Sequence, residues 1–319
     1  MPRHAHYVPH GVIPAVILPF TDDLDIDEKG FRKHLQDVAA VKGLSAVTVN
    51  AHSTEVASCT FDEQRRVLAI AQDEIGGKLP VVNGIWADGS LEAARIARMA
   101  EAGGASALLV FPPAPFTLGQ SPAMAVEHFR RIADASSLPI IVFQYPLATG
   151  QGYPRDTLMK MCEEVPTIRA IKDWAGNVAQ HEMHVRELQS RKPAVNVLST
   201  HSAWLLSSLV LGCNGLLSGS GSVIADLQSA LFHAVKANDL AEARRINDRI
   251  YPLARVFYAD PWADMHNRMK EALVLLGRLP RAVVRPPLVK ITRAEIERIR
   301  AALIEAGLLT QKAAARDAA

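Results

Sequence analysis

Thr167-Ile-Arg-Ala-Ile-Lys-Asp-Trp-Ala-Gly176 sets a lysine, Lys172, at the end of a short apolar run rich in β-branched residues. Bounded by Pro166 and Gly176, the run reads as a buried strand. Burial disfavours an ammonium and lowers its pKa. A neutral amine in a dry pocket can attack a carbonyl carbon and form a Schiff base. The plainer reading is a strand-end lysine that reaches solvent or pairs with Asp173.

The surrounding chain repeats one unit. Apolar strand segments are expected at 13–19, 44–49, 79–83, 107–111, 139–144, 168–172, 195–198 and 215–219. Helical spacing fills the intervals, at 27–41, from the capping box Thr60-Phe-Asp-Glu63 onward, and at 90–102, 122–135, 155–164, 178–190 and 204–211. Near-continuous apolar strands alternating with helices mean a parallel sheet covered by helices, and eight such units close most naturally into a (β/α)₈ TIM barrel. We expect a lead-in at 1–10, the barrel at 11–235, a C-terminal helical region at 236–308 and a disordered tail at 309–319. In the lead-in, His4, His6 and His10 suggest metal ligands less than a mobile polar arm. The helical region is too small to stand alone and is expected to pack on the barrel or on a second subunit.

Composition narrows the function classes. The chain has 319 residues, 49% hydrophobic and 21% charged, with a net charge of +2. Nothing in that balance points to nucleic acid or an anionic membrane. No apolar run is long enough to span a bilayer, and the N-terminus lacks a signal peptide's apolar core. Cys59, Cys162 and Cys213 are odd in number and in no metal spacing, as expected of free thiols in a reducing cytoplasm.

A barrel of this kind carries its chemistry at the C-terminal ends of its strands. The candidates there are Asn50 to Glu55, Asn83 to Trp86, Phe143 to Tyr145, Lys172 with Asp173, Ser199 to His201, and Ser218 to Gly221. Lys172 is the only lysine at such a strand end, which strengthens the Schiff-base reading.

At this point the sequence resembles the dihydrodipicolinate synthase / N-acetylneuraminate lyase superfamily of class I aldolases. The resemblance rests on Gly11-Val-Ile-Pro-Ala-Val-Ile-Leu-Pro-Phe20, Ile168-Arg-Ala-Ile-Lys-Asp173, Leu198-Ser-Thr-His201, Leu211-Gly-Cys-Asn-Gly-Leu-Leu-Ser218, Met269-Lys-Glu-Ala-Leu-Val-Leu-Leu-Gly277 and Arg285-Pro-Pro-Leu288. It covers residues 11 to 306 in order. It implies that Lys172 forms an imine with pyruvate or another 2-keto acid, that no metal or organic cofactor takes part, and that the protein is a homo-oligomer, a tetramer or a dimer. It also implies that the loop after the second strand, with Ser53 and Thr54, holds the substrate carboxylate. Phe143, Ser218 and Gly219 complete the expected substrate-binding set. A plainer reading of Ser53 and Thr54 is a polar turn that bonds its own backbone.

The sequence also departs from the family. The carboxylate motif Gly-Thr-Thr-Gly-Glu is here Ala51-His-Ser-Thr-Glu55. The fifth-strand tyrosine that moves protons is here Phe143, and the Tyr-Tyr pair after strand four is replaced by Phe111-Pro-Pro-Ala-Pro-Phe116. The arginine that binds the second carboxylate in dihydrodipicolinate synthases is here Ala148. Two residues are candidates to restore proton transfer. Tyr145 shares a strand face with Phe143, and His52 titrates near neutrality in its unperturbed state. Trp86 and Trp174 stand near the same mouth and suit a bulkier or aromatic aldehyde. The expectation is therefore a Schiff-base lyase outside lysine biosynthesis. The alternatives are dihydrodipicolinate synthase itself, a non-catalytic keto-acid-binding relative, and a hydrolase using His52.

Overall fold

The computed structural model describes residues 3–310. Eight strands form one parallel sheet: β1 (Gly11–Pro14), β2 (Val47–Val49), β3 (Val81–Ile85), β4 (Ala107–Val110), β5 (Ile140–Gln144), β6 (Ile168–Asp173), β7 (Asn196–Ser199) and β8 (Gly215–Ser218). Each strand pairs with its sequence neighbour, and β1 pairs with β8. Bridges Val12–Leu44 and Ala15–Thr48 close the ring between β1 and β2. The fold is a (β/α)₈ barrel.

The strands are joined by α1 (Glu28–Ala39), α2 (Phe61–Glu74), α3 (Ser90–Ala102), α4 (Pro122–Ala135), α5 (Arg155–Glu164), α6 (Val178–Gln189) and α7 (Leu205–Val210). After β8 come α8 (Gly221–Lys236), α9 (Leu240–Phe257), α10 (Met265–Leu275) and α11 (Arg293–Glu305). Both halves of the capping box at Thr60 are made, which fixes where α2 starts and how long the preceding loop is. Helices α9 and α10 pack on α8, and α11 lies on both.

Strand alternation sorts the core into two layers. Ile13, Val82, Leu109, Ile141, Phe143 and Leu217 fill the barrel interior. Ile140, Val142, Ile168, Ile171 and Val197 face the helices. Strand β1 is shorter than expected at its C-terminal end. Beyond Pro14 the bonding divides between two neighbours, Ala15 N–H donating to Ser218 O at 2.9 Å and Val16 N–H to Thr48 O at 3.1 Å, and residues 15–18 remain fully buried. The lead-in is tied down, not loose: Arg3 Nη1 donates to Gln72 O at 2.8 Å, His4 Nε2 meets Gly76 O at 3.0 Å, and Asn196 Nδ2 donates to Pro9 O at 2.8 Å. At the other end the Leu309 amide donates to Leu303 O at 3.2 Å, and the tail from Gln311 lies outside the described residues.

Candidate active site

Alternation along β6 decides the fate of the lysine. Ala170 and Lys172 point into the barrel, while Ile171 and Asp173 point toward α6. Lys172 and Asp173 are therefore on opposite faces and do not pair. Lys172 is 6% exposed, and among the described residues it makes no ion pair. Its Nζ sits 3.9 Å from the Phe143 ring centroid, because β5 and β6 pair Phe143 with Lys172 in register. Ring attraction for a cation is modest, and desolvation prevails. Burial pushes the Lys172 pKa from 10.5 down to about 7. The amine opens on a cavity of about 240 Å³ at the C-terminal mouth of the barrel.

The loop after β2 forms a second wall. Asn50 and Glu55 both take left-handed backbone angles, φ 53° and 50°, and between them His52–Thr54 makes one tight turn. Asn50 is anchored by its side-chain amide to Gln64 O at 2.9 Å and Asn83 Oδ1 at 2.8 Å. Gly84 on β3 permits this approach, since a Cβ there would sit 1.8 Å from Asn50 O. The Glu55 carboxylate accepts a hydrogen bond from the Lys270 ammonium on α10 and one from the Arg285 amide at 2.9 Å. The loop is thus pinned from the barrel and from the C-terminal region together.

This geometry divides the expected carboxylate binders. Ser53 lines the cavity, is 1% exposed, and its hydroxyl has no protein partner. A buried unpaired hydroxyl facing a cavity is suited to a ligand. Thr54 is turned away: its hydroxyl donates to Ala51 O at 2.8 Å, the local backbone bond that competes for such residues. Ser218 is also drawn elsewhere. It bonds Ser220 Oγ at 2.9 Å, Gln228 Nε2 at 3.1 Å and the cavity-lining Ser202 Oγ at 3.4 Å, and does not itself line the cavity. Gly219 does line it.

Tyr145 does share the inward face with Phe143, at a ring separation of 4.6 Å. Its hydroxyl does not open on the cavity; it meets His52 Nε2 at 2.5 Å, and His52 is the cavity-lining member of the pair. His52 is packed edge-on against Trp86 at 5.1 Å and Phe111 at 4.8 Å. Burial, and next the nearby Lys172 charge, hold its pKa at about 3, so it does not titrate near neutrality as the free side chain would. Burial also raises the Tyr145 phenol above its ordinary 10. The pair is neutral at physiological pH: a hydrogen-bonded phenol–imidazole unit that can pass a proton without storing charge.

Behind Lys172, Asp173 organises three histidines that the sequence reading did not single out as a set. Its Oδ2 accepts from His181 Nδ1 and His184 Nδ1, each at 2.8 Å, its Oδ1 accepts from the Ala175 amide at 2.8 Å, and His201 Nε2 lies 3.6 Å from it. Burial alone would raise the Asp173 pKa, but these imidazoles bring it well below the usual carboxylate range. Burial opposes a charge on His181, yet Asp173 outweighs it and lifts His181 to about 9. His181 Nε2–H then donates to Ser208 Oγ at 2.7 Å. Asp173, His181 and His201 are also the one group of potential metal ligands converging within 4.8 Å among the described residues. The His181 hydrogen bond to the carboxylate accounts for half of that convergence, and the approach of His201 to 3.6 Å for the rest. The spacing of His181 and His184, three apart on the helix after β6, was the available signal.

The fourth wall comes from the C-terminal region, which the sequence offered only as packing. Trp262, in the turn before α10, and Met265 and His266, at its start, line the cavity with Tyr258. His266 is 7% exposed, and among the described residues it has no hydrogen-bond partner. It reaches the cavity across Gly219, where a Cβ would sit 2.6 Å from its Nε2. Burial, then repulsion from the protonated forms of His52, Lys172 and Lys270, holds the His266 pKa well below the ordinary imidazole value.

Comparison with known proteins bears on this arrangement. The family model described as the dihydrodipicolinate synthetase family matches residues 8–306. A 4-hydroxy-tetrahydrodipicolinate synthase of Chloroherpeton thalassium is 29% identical over 306 residues, covering 96% of this chain and 98% of that one. The enzyme of the same name from Methanopyrus kandleri is 30% identical over 303 residues, covering 94% and 97%. Among solved structures, dihydrodipicolinate synthase from Cyanidioschyzon merolae with lysine bound has a TM-score of 0.84 at 27% identity, covering 94% and 99%. A prophage protein of the dihydrodipicolinic acid synthase family from E. coli K12, in complex with pyruvate, has a TM-score of 0.86 at 24% identity, also covering 94% and 99%. The chain belongs to the dihydrodipicolinate synthetase family, whose members are lyases of the class I aldolase type.

Proposed function

We propose that this chain is a Schiff-base-forming lyase, an aldolase or dehydratase, acting on pyruvate or another 2-keto acid. The observation that carries the reading is Lys172: a buried amine without an ion pair, with its pKa near 7, opening on a cavity at the catalytic end of the barrel. At neutral pH about half of it is the free base, the form that attacks a keto carbon. Loss of water gives the imine. The cationic nitrogen then draws electrons from the neighbouring carbon, which loses a proton to give an enamine or, in reverse, gains one. Ser53 is the group for the keto acid's carboxylate. The His52–Tyr145 pair is the route for protons, in place of the phenol missing at Phe143.

The relatives carry the name of the lysine-pathway synthase, and our reading departs from that activity. Ala148 stands where the synthases hold an arginine for the second substrate, and among the described residues no arginine lines the cavity. We further infer a cytosolic homo-oligomer without a cofactor, a reading supported by the three free cysteines. No helix among the described residues is long and apolar enough to cross a membrane.

Borohydride reduction in the presence of pyruvate is expected to add a mass to the protein that maps to Lys172. Absence of any adduct across a broad panel of 2-keto acids sinks the proposal. A second reading, a keto-acid-binding relative without catalysis, is favoured by one feature, the missing phenol at Phe143. Thermal stabilisation by pyruvate that persists in Lys172→Ala is the result expected of it. A hydrolase using His52 has less support, because an imidazole with a pKa of about 3 is a weak base.

A further inference from the structure

Resting on the Schiff-base reading above, we propose that the acceptor side of the cavity takes an uncharged aromatic aldehyde, packed against Trp174 and Trp262, with its carbonyl oxygen directed to His266. Two features of the cavity carry this. First, much of the cavity lining is indole and phenol, from Trp174, Trp204, Tyr258 and Trp262. The rings of Trp174 and Trp262 lie 5.1 Å apart at 44°, Tyr258 and Met265 extend the surface, and Trp204 stacks on His201 at 4.0 Å. Trp262 is 46% exposed, a large apolar face left at the rim with room for a planar partner.

Second, the charge inventory is one-sided. Of the residues lining the cavity, among the described residues, Lys172 is the only lysine, arginine, aspartate or glutamate. The imine consumes that amine. His52, His201 and His266 are held below their ordinary pKa by burial and are neutral. An aldehyde carrying its own carboxylate would bury a second anion when the one cation, the imine nitrogen, already neighbours the keto acid's carboxylate, which is costly. An aryl group has no such requirement.

His266 completes the subsite. It is a buried, unpartnered imidazole aimed across Gly219 into the cavity. In the addition, the enamine carbon forms a C–C bond to the aldehyde carbon. The carbonyl π-pair moves to oxygen, where the His266 N–H is placed to bond it, and that oxygen takes back, through the His52–Tyr145 pair and solvent, the proton that the keto acid lost on forming the enamine. Water then hydrolyses the imine, releasing a 4-aryl-4-hydroxy-2-keto acid and the free lysine. No oxidant or reductant is required.

The test compares pyruvate plus benzaldehyde or 2-naphthaldehyde with pyruvate plus succinic semialdehyde or glyoxylate, using purified full-length protein. The expected result is a kcat/KM at least about 100-fold higher for the aryl aldehydes. Trp262→Ala is expected to raise the aryl KM about 10-fold, and Trp262→Phe, which keeps a ring and guards against misfolding, to restore most of it. Equal or better turnover of the carboxylated aldehydes overturns the proposal while leaving the imine intact. So does a trapped pyruvate adduct with no aldehyde of either class consumed. Failure to trap pyruvate or any other keto acid is a different outcome: it removes the lysine reading, and this proposal with it.

Discussion

Replacing Lys172 with methionine should make the protein more stable, and the gain should depend on pH. In the unfolded chain this lysine holds its proton up to about pH 10.5; in the fold, burial releases it at about 7. Between those values the unfolded state binds a proton that the native state lacks, so stability rises with pH across that window. Below pH 7 the full cost of a buried charge is present. At about 1.4 kcal/mol per tenfold change in proton affinity, the gap from 10.5 to about 7 is worth roughly 5 kcal/mol, and about 4 kcal/mol of it remains at pH 7. The side chain is 6% exposed, so solvent screening discounts this little. Methionine has a similar length and no charge. Urea unfolding should therefore give Lys172→Met about 4 kcal/mol over the parent at pH 7, shrinking toward zero near pH 10.5. A variant no more stable than the parent at pH 7, or an advantage that does not narrow by pH 10, would refute the desolvation argument.

The same lowered pKa predicts that the rate of borohydride-trapped imine formation rises with pH to a plateau with its midpoint near 7; a midpoint above 9 would mean an ordinary solvated lysine. Tyr145→Phe removes the hydroxyl bonded to His52 and should lower kcat about 100-fold while a pyruvate adduct still forms; unchanged kcat would remove the pair from proton transfer. Glu55→Gln and Lys270→Met each leave one buried charge unpartnered and should cost about 3–5 kcal/mol in urea unfolding, whereas the double variant should lose less than the sum. Strict additivity would show that the pair does not act as one unit.

The backbone was the legible part, because a parallel barrel repeats one pattern eight times and each strand is apolar enough to recognise. Lys172 was legible for the same reason: once β6 is in place, its end is a catalytic position. What the sequence could not resolve was direction within short loops. Ser53 and Thr54 are adjacent hydroxyls in one tight turn, yet one faces the cavity and the other bonds Ala51. Ser218, read as a substrate contact, is captured by Ser220 and Gln228 from the next helix. Tyr145 met the inward-facing expectation but stops at His52, a partner 93 positions away. His266 and Trp262 lie in a helical region whose pattern signals only amphipathic packing, and their entry depends on long-range docking that no local period records. The His181–His184 pair was readable in spacing, but its meaning required knowing that strand alternation turns Asp173 outward.

The tie between Glu55 and the Lys270 ammonium and Arg285 amide sets an order of assembly. Lys172, all eight strands and the Asn50 anchor of the β2 loop lie before residue 219, whereas the partners of Glu55 and the residues that close the mouth lie in the last fifth of the chain. A barrel still awaiting α10 would carry the amine but lack the wall formed by Trp262 and His266, and the loop bearing Ser53 would hang on an unmatched carboxylate. Completion of the cavity around Lys172 therefore depends on the docking of α10. A reactive amine is kept from being a selective one until the whole molecule has folded around it.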